Sequence, residues 1–334
     1  MNAKLFYAVF VVAIMSSCQG SKSDIGPVHS NDMSAIDSLN RLIIDNPNGK
    51  DLYLSRALVN YQEELDEESA FKDLDLVQKL DSSDARPHYY RALWNLDDRK
   101  IEKANSELEI AIGKDPDYID AYLLQSRIYF FVQNYEQSIL SADQALKRDL
   151  YNAEAYFLKG LSFKEAGDTT KAVSSFLTAT EQDQNFYDAW MELGLLYGLV
   201  NHENTEFYYD NALRINPEST EALYNQALFY QNVNRIGDAK SNYQRLMELD
   251  STDVRAYYNM GYVHLVKEEN YDSAAYFFRQ SLAIMPKNAD AAYNLGLSYE
   301  LNDKTDSAVV YYKQALSIIP NHDLAARALQ RILG

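Results

Sequence analysis

Basic residues are in short supply. Lys and Arg number 31 against 49 Asp and Glu, a formal net charge of −18. A phosphate backbone is neutralised by clustered Lys and Arg, so this balance argues against direct nucleic-acid binding. Glycine (12) and proline (7) are scarce as well. That argues against all-β folds full of tight turns and against glycine-rich nucleotide loops. Cys18 is the only cysteine, so no internal disulfide can form. The Gly-x-Ser-x-Gly, Walker, Gly-x-Gly-x-x-Gly and Cys-x-x-Cys patterns are all missing. What the chain does have is apolar and aromatic substance. Hydrophobic residues make up 47 %, enough for a large core, and Tyr (27) is twice as common as Phe (13). Many rings should therefore carry a hydroxyl to a wet edge.

The N-terminus reads as an address. Lys4 precedes an apolar run from Leu5 to Met15, followed by Ser16, Ser17 and Cys18. The run is shorter than the roughly 20 residues of a bilayer-spanning helix, and its flanks are those of a secretory signal. Ser-Ser-Cys resembles the bacterial lipobox, which implies cleavage before Cys18 and its lipidation. Gln19, in place of the aspartate that retains lipoproteins in the inner membrane, implies an outer-membrane anchor facing the periplasm. Residues 1–17 are thus expected to be a signal peptide and 18–31 a lipidated flexible tether. The thirteen residues 19–31 reach on the order of 20 Å as a coil.

The remainder repeats. Small residues recur at Ala57, Ala92, Ser126, Gly160, Gly194, Ala227, Gly261 and Gly296, spaced 35, 34, 34, 34, 33, 34 and 35. A second small residue follows about twelve later in most units: Ala70, Ala104, Ser138, Ala172, Ala239, Ala274, Ala308. A third follows about seven further on, as at Ala111, Ala145, Ala179, Ala212 and Ala315, and units close near Pro116, Pro217, Pro286 and Pro320. This pattern resembles the tetratricopeptide repeat (TPR) over residues 32–334. The resemblance implies an all-α, right-handed α-solenoid of about eight helix pairs. Small residues would sit where helix axes approach closely, and aromatic and Leu side chains would fill the gaps. Residues 32–46 match an N-terminal half repeat, and Asp323 to Leu333 a capping helix. One unit departs from the frame: the fifth is a residue short and carries Thr205 at the alanine position.

Candidate chemistry is sparse. His202-Glu203-Asn204-Thr205-Glu206 approaches a zinc-protease motif but ends in Glu and falls at an inter-helix turn. The histidines (His29, His88, His202, His264, His322) share no helical spacing, and His264 takes an aromatic core position, where a satisfied core residue is expected. The acidic stretch from Glu63 to Glu68 reads as a solvated turn. No catalytic residue, metal, cofactor or small-molecule substrate is expected.

The TPR resemblance implies a concave groove lined by the first helix of each unit. With the small residue as position eight, position five reads Leu54, Tyr89, Leu123, Phe157, Met191, Tyr224, Tyr258 and Tyr293, an apolar and aromatic series. Position nine adds Leu228, Tyr262 and Leu297, and position six of the last three units is Asn225, Asn259 and Asn294. In this family such asparagines hold a ligand's main chain, so these nine residues of the last three units form the candidate peptide track. Position two carries acids (Asp120, Glu154, Asp188, Glu221), with Arg86 and Arg255 alone among them, which argues against a clamp for anionic peptides. The expected function is a non-catalytic interaction scaffold or adaptor, membrane-tethered, binding an envelope protein or peptide. A periplasmic assembly chaperone or pilotin for an outer-membrane client is the second reading, and an enzyme a remote third.

Overall fold

The computed structural model describes residues 35–62 and 66–334. The expected signal peptide, Cys18, the tether, His29 and residues 63–65 of the acidic stretch lie outside them. The described residues are helical throughout, with no strand among them. They fall into two units that meet inside one helix, at Arg91 and Ala92.

The first unit contains α1 (Ala35–Asp45), α2 (Lys50–Gln62), α3 (Glu67–Leu80) and the start of α4 (Arg86–Asp97). Helix α1, the expected half repeat, buries no residue fully. A polar device that the hydrophobic pattern does not announce links it to its neighbours. Arg56 on α2 grips the almost fully buried Asp73 of α3 through Nε (2.8 Å) and Nη2 (2.7 Å). Its third nitrogen, Nη1, donates to Asn40 Oδ1 on α1 at 2.7 Å.

The second unit continues α4 and adds α5 (Ile101–Lys114), α6 (Ile119–Phe131), α7 (Tyr135–Leu146), α8 (Ala153–Glu165) and α9 (Thr169–Gln182). There follow α10 (Tyr187–Gly198), α11 (Thr205–Ile215), α12 (Thr220–Asn232), α13 (Ile236–Leu249), α14 (Val254–Tyr262) and α15 (Tyr271–Ile284). Helices α16 (Ala289–Leu301), α17 (Thr305–Ile318) and α18 (Asp323–Leu333) complete it. From α6 to α17 the helices pack as successive pairs, each pair stacked on the next, with α18 covering α17. Asn and Asp side chains cap many of them, as Asn152 does by accepting from Ala155 N (2.9 Å).

The small positions have the expected physical role. A Cβ on Gly160 would lie 2.5 Å from the Phe176 ring, and on Gly194 2.6 Å from Tyr209. Gly261 and Gly296 face Phe278 and Tyr312 in the same way, at 2.9 and 2.8 Å. Where position eight is Ala57 or Ala92, the corresponding second-helix residue is the smaller Leu74 or Leu108, also fully buried. Ser126 and Ser138 replace alanines without loss, since each hydroxyl donates to the other's backbone carbonyl (2.8 and 2.9 Å). Ser281, at the third small position, is different: it is fully buried and its Oγ has no partner. Ser281→Ala is therefore expected to raise stability by about 1 kcal/mol, read as a higher urea midpoint.

The turns inside the seven pairs from α4 to α17 share a feature hidden in the sequence. Arg99, Gln133, Gly167, Asn201, Asn234, Glu269 and Asp303 all have positive φ, between 49° and 85°. Each stands seven or eight residues after the small position. The next N–H then folds back onto the last helical turn, as Asn134 N does to Tyr129 O at 2.8 Å. Only Gly167 adopts this conformation without a Cβ penalty. Gln133→Gly is expected to stabilise by about 0.5 kcal/mol, measured by thermal or urea unfolding.

Three units depart from the twelve-residue count, the first (Ala57 to Ala70, thirteen), the fifth and the seventh, and the last two show how the difference is absorbed. In the fifth, only eleven residues separate Gly194 from Thr205, and α11 loses its first turn to the bend at 202–204. Thr205 starts the helix instead, its hydroxyl donating to His202 O at 2.7 Å. In the seventh, thirteen residues separate Gly261 from Ala274. The extra residue is absorbed by a π-helical turn, Val263–Lys267, that continues α14.

His264 lies in that turn, buried and stacked on Phe277 (5.3 Å, 6°). It is a core residue, as expected, but not a satisfied one. Nδ1 sits 2.7 Å from Glu268 Oε2 outside hydrogen-bond geometry, and both Glu268 oxygens accept from Lys240 Nζ at 2.8 and 3.1 Å. Burial, with Lys240 second, lowers the imidazole pKa below 6.5, against the opposing pull of Glu268. A lowered folded pKa means that the unfolded chain takes up the proton first. This residue's contribution to stability is thus lost as pH falls through about 6.5 toward the folded value. His264→Phe should show a shallower fall in urea midpoint between about pH 7 and 5 than the unmodified protein.

Candidate functional site

In the second unit the first helices α6 and α8, and α10 and α12, approach each other, and side-chain hydrogen bonds join α12 to α14 and α14 to α16, while second helices of neighbouring pairs make no comparable contact. Closer approach on one side places the first helices on the inner face of the stack and the second helices on the outer. The candidate track lies on those first helices: Tyr224, Asn225 and Leu228 on α12, Tyr258, Asn259 and Tyr262 on α14, Tyr293, Asn294 and Leu297 on α16. All nine are half-buried.

Packing explains why they are neither hidden nor free. Each position-five tyrosine rests a flank on a fully buried ring of its own pair: Tyr224 on Tyr243, Tyr258 on Phe278, Tyr293 on Tyr312, with centroids 5.6–6.5 Å apart. The hydroxyls reach the next repeat. Asn294 Nδ2 donates to Tyr258 Oη at 2.9 Å, and Asn259 Nδ2 to Tyr224 Oη at 3.5 Å and to Arg255 O at 2.9 Å. Two of the three asparagines therefore commit donor capacity to a ladder between repeats, and less remains for a peptide than the sequence suggests. Asn225 would need a hydroxyl at Met191, and its side chain makes no hydrogen bond among the described residues. It is the one amide of the three left wholly to a ligand or water.

The apolar inner face is shorter than the sequence predicts. Leu54 (7 % exposed), Leu123 (6 %) and Met191 (5 %) are closed into the core, and Phe157 is wedged between the rings of Phe176 and Phe186 (5.6 and 4.8 Å). Tyr89 and Phe157 are also half-buried, but the last three repeats carry consecutive half-open aromatic residues at position five. Tyrosine is long enough to fill its pocket and still present an edge, whereas Leu and Met are not.

Charge is distributed unevenly over the same helices. Arg127 pairs with Glu154 (2.6 Å) and Lys164 with Glu192 (2.7 Å). Arg255, which stood alone in the sequence, is gripped by Asp253 and lies 4.4 Å over the Tyr224 ring. Asp188 and Glu221 have no Lys or Arg within ion-pair distance among the described residues. The Asp188 side chain is exposed, yet desolvation by the helices packed beside it, then Glu192 and Glu221, raise its carboxyl above its ordinary value. Burial likewise pushes the Tyr258 phenol up, so it serves at neutral pH as a hydroxyl.

The remaining motifs have structural roles. His202 Nδ1 accepts from Asn204 N at 3.1 Å in the turn before α11, and its ring stands edge-on to Tyr197. Asp66, at the described end of the acidic stretch, caps α3 by accepting from Ser69 N, and Glu68 pairs with Lys72 on the surface. No group of three or more His, Cys, Asp or Glu among the described residues could hold a metal ion. No described helix is long and apolar enough to cross a membrane.

Family models described as tetratricopeptide repeat match residues 123–185, 224–288 and 265–333, together just over half of the chain. Anaphase-promoting complex subunit 3 of Schizosaccharomyces pombe is 23 % identical over 249 residues, 73 % of this chain but 36 % of its own length. Superkiller complex protein 3 of Mus musculus is 28 % identical over 43 % of this chain and 9 % of its own. The chain thus spans well under half the length of these relatives. Among solved structures, the C-terminal part of a TPR repeat-containing protein from Cytophaga hutchinsonii has a TM-score of 0.64 at 13 % identity. The match covers 72 % of this chain and 99 % of that one, a likeness of fold.

Proposed function

Because the chain belongs to the tetratricopeptide repeat family, whose repeats typically serve as protein-interaction scaffolds, we propose that it is a non-catalytic adaptor. It holds a protein segment along the inner face of α12, α14 and α16. One observation carries this reading: each helix pair closes its core behind the tyrosines, yet nine Tyr, Asn and Leu side chains remain half-exposed in a continuous register. Apolar surface left on an inner face of rigid helices is the arrangement that an extended or helical partner segment can cover. The adaptor is tethered to the cell envelope through lipidated Cys18, with residues 19–31 as spacer and an envelope protein as partner. The leader and Ser-Ser-Cys sequence support that placement.

The test is photo-crosslinking in cells with reactive side chains at Tyr258 and Leu297, against an outer control at Lys304. One dominant partner captured from the two inner sites and not from Lys304 is the expected result. A broad set of clients would favour the assembly-chaperone reading. Capture from Lys304 with silence at the inner sites would overturn the assignment of the face. Metabolic labelling with a radioactive fatty acid, lost in Cys18→Ala, tests the anchor separately.

A further inference from the structure

The chemistry of the partner segment can be read from the same face, and the inference rests on the interaction reading above. Along α8 to α14, the cations near the inner surface are already engaged: Lys164 by both oxygens of Glu192 (2.8 and 2.7 Å), Arg255 by Asp253 and the Tyr224 ring. Two carboxylates have no cation within ion-pair distance among the described residues, although Glu221 lies in the field of Arg255. Asp188 on α10 and Glu221 on α12 occupy position two of successive repeats. Glu192 and Glu221 lie close enough to set an unfavourable field for the Asp188 charge. The apolar floor begins beside them at Tyr224 and Leu228 and runs through Tyr258, Tyr262, Tyr293 and Leu297. Asn225 stands at the junction, next to Tyr224 on the same helix, with its acceptor and both donors uncommitted.

We infer that the partner segment is cationic and apolar: an extended stretch of another protein with a Lys or Arg over Asp188 and Glu221 and alternate apolar side chains along α12, α14 and α16. An extended chain turns every second side chain to one face, which suits a floor of discrete aromatic and Leu positions. Helices pack about 9 Å apart, so crossing three of them takes on the order of 30 Å, or roughly nine residues. Asn225 donates to a carbonyl and accepts from an N–H of that segment where the basic side chain descends. A net charge of −18 draws such a segment in and turns an acidic one away.

The experiment uses the full chain and fluorescein-labelled peptides of about twelve residues, alternating Leu and Ser, that end in a Lys, Gln or Glu pair. Anisotropy at low and physiological salt is the readout. The Lys peptide is expected to bind about fivefold tighter than the Gln peptide and more than about tenfold tighter than the Glu peptide at low salt, with the gap narrowing as salt rises. In the double variant Asp188→Asn, Glu221→Gln, the Lys preference should vanish while the affinity for the Gln peptide stays. Equal binding of all three peptides, or a Lys preference that survives the double variant, overturns the charge assignment and leaves the interaction face standing. If no peptide binds, the inference fails, and the crosslinks at Tyr258 and Leu297 decide whether the face itself fails with it.

Discussion

Gly160→Ala destabilises the array by about 2 kcal/mol, although alanine is the better helix former by about 1 kcal/mol. The new methyl would stand 2.5 Å from two carbons of the fully buried Phe176 ring, which is itself packed against Phe157. The ring has no empty space to enter, so the helices must part or the ring must leave its rotamer. The chain contains its own remedy. Where position eight is Ala57 or Ala92, the corresponding second-helix residue is Leu74 or Leu108, although Ala227 shares its core with the fully buried Tyr243. Gly160→Ala combined with Phe176→Leu should therefore recover most of the loss, with a coupling of more than about 1 kcal/mol in a double-mutant cycle. Gly113→Ala is the matched control. An added Cβ meets nothing within 4 Å there, and the substitution should stabilise by about 0.5–1 kcal/mol. Urea unfolding followed by circular dichroism gives the sign, and hydrogen exchange of α8 and α9 localises it. Equal and favourable effects at Gly160 and Gly113 would refute the close-approach account.

Asp73→Ala costs about 3 kcal/mol in the first unit. Removing the carboxylate leaves the half-buried Arg56 guanidinium without its two-pronged partner. It also frees the arm that reaches Asn40, so α1, which buries no residue fully, loses an anchor. The expected signature is a lower unfolding midpoint together with faster protease cleavage within 35–45. Arg56→Met with Asp73→Leu should restore most of the midpoint, because the penalty is that of a stranded charge. It should not restore the protection of α1, because the bond to Asn40 stays broken.

Much of this architecture was legible, and the particular residues show why. Ala70, Ala104, Ala172, Ala239, Ala274 and Ala308 are all completely buried, as their spacing requires. Helix axes can approach that closely only over a small side chain. The short fifth unit was also visible in the residue count, though its form, a helix start delayed to Thr205, was not. Thirteen residues between Gly261 and Ala274, where the frame has about twelve, mark an extra residue in the seventh unit. Ala57 and Ala70 show the same count, so the π turn that absorbs it was not legible. The candidate face was legible in part. Its tyrosines, leucines and asparagines stand on one face as the repeat implies, but the closure of Leu123 and Met191 and the Asn294–Tyr258 bond were not foreseen.

The sequence by itself determined the repeat, its pairing of helices and the residues at each close approach. Those depend on side-chain volume at a fixed period, and volume is written in every residue. The tertiary structure alone decided which inner-face residues stay open, which amides are already bonded, and which charges lack a partner. Those outcomes depend on what stands about 35 residues away on the neighbouring repeat, and on whether a side chain is long enough to reach it. Asn225 and Asn294 are the same residue at the same repeat position. One is unpartnered because its neighbour is Met191, and the other is bound because its neighbour is Tyr258.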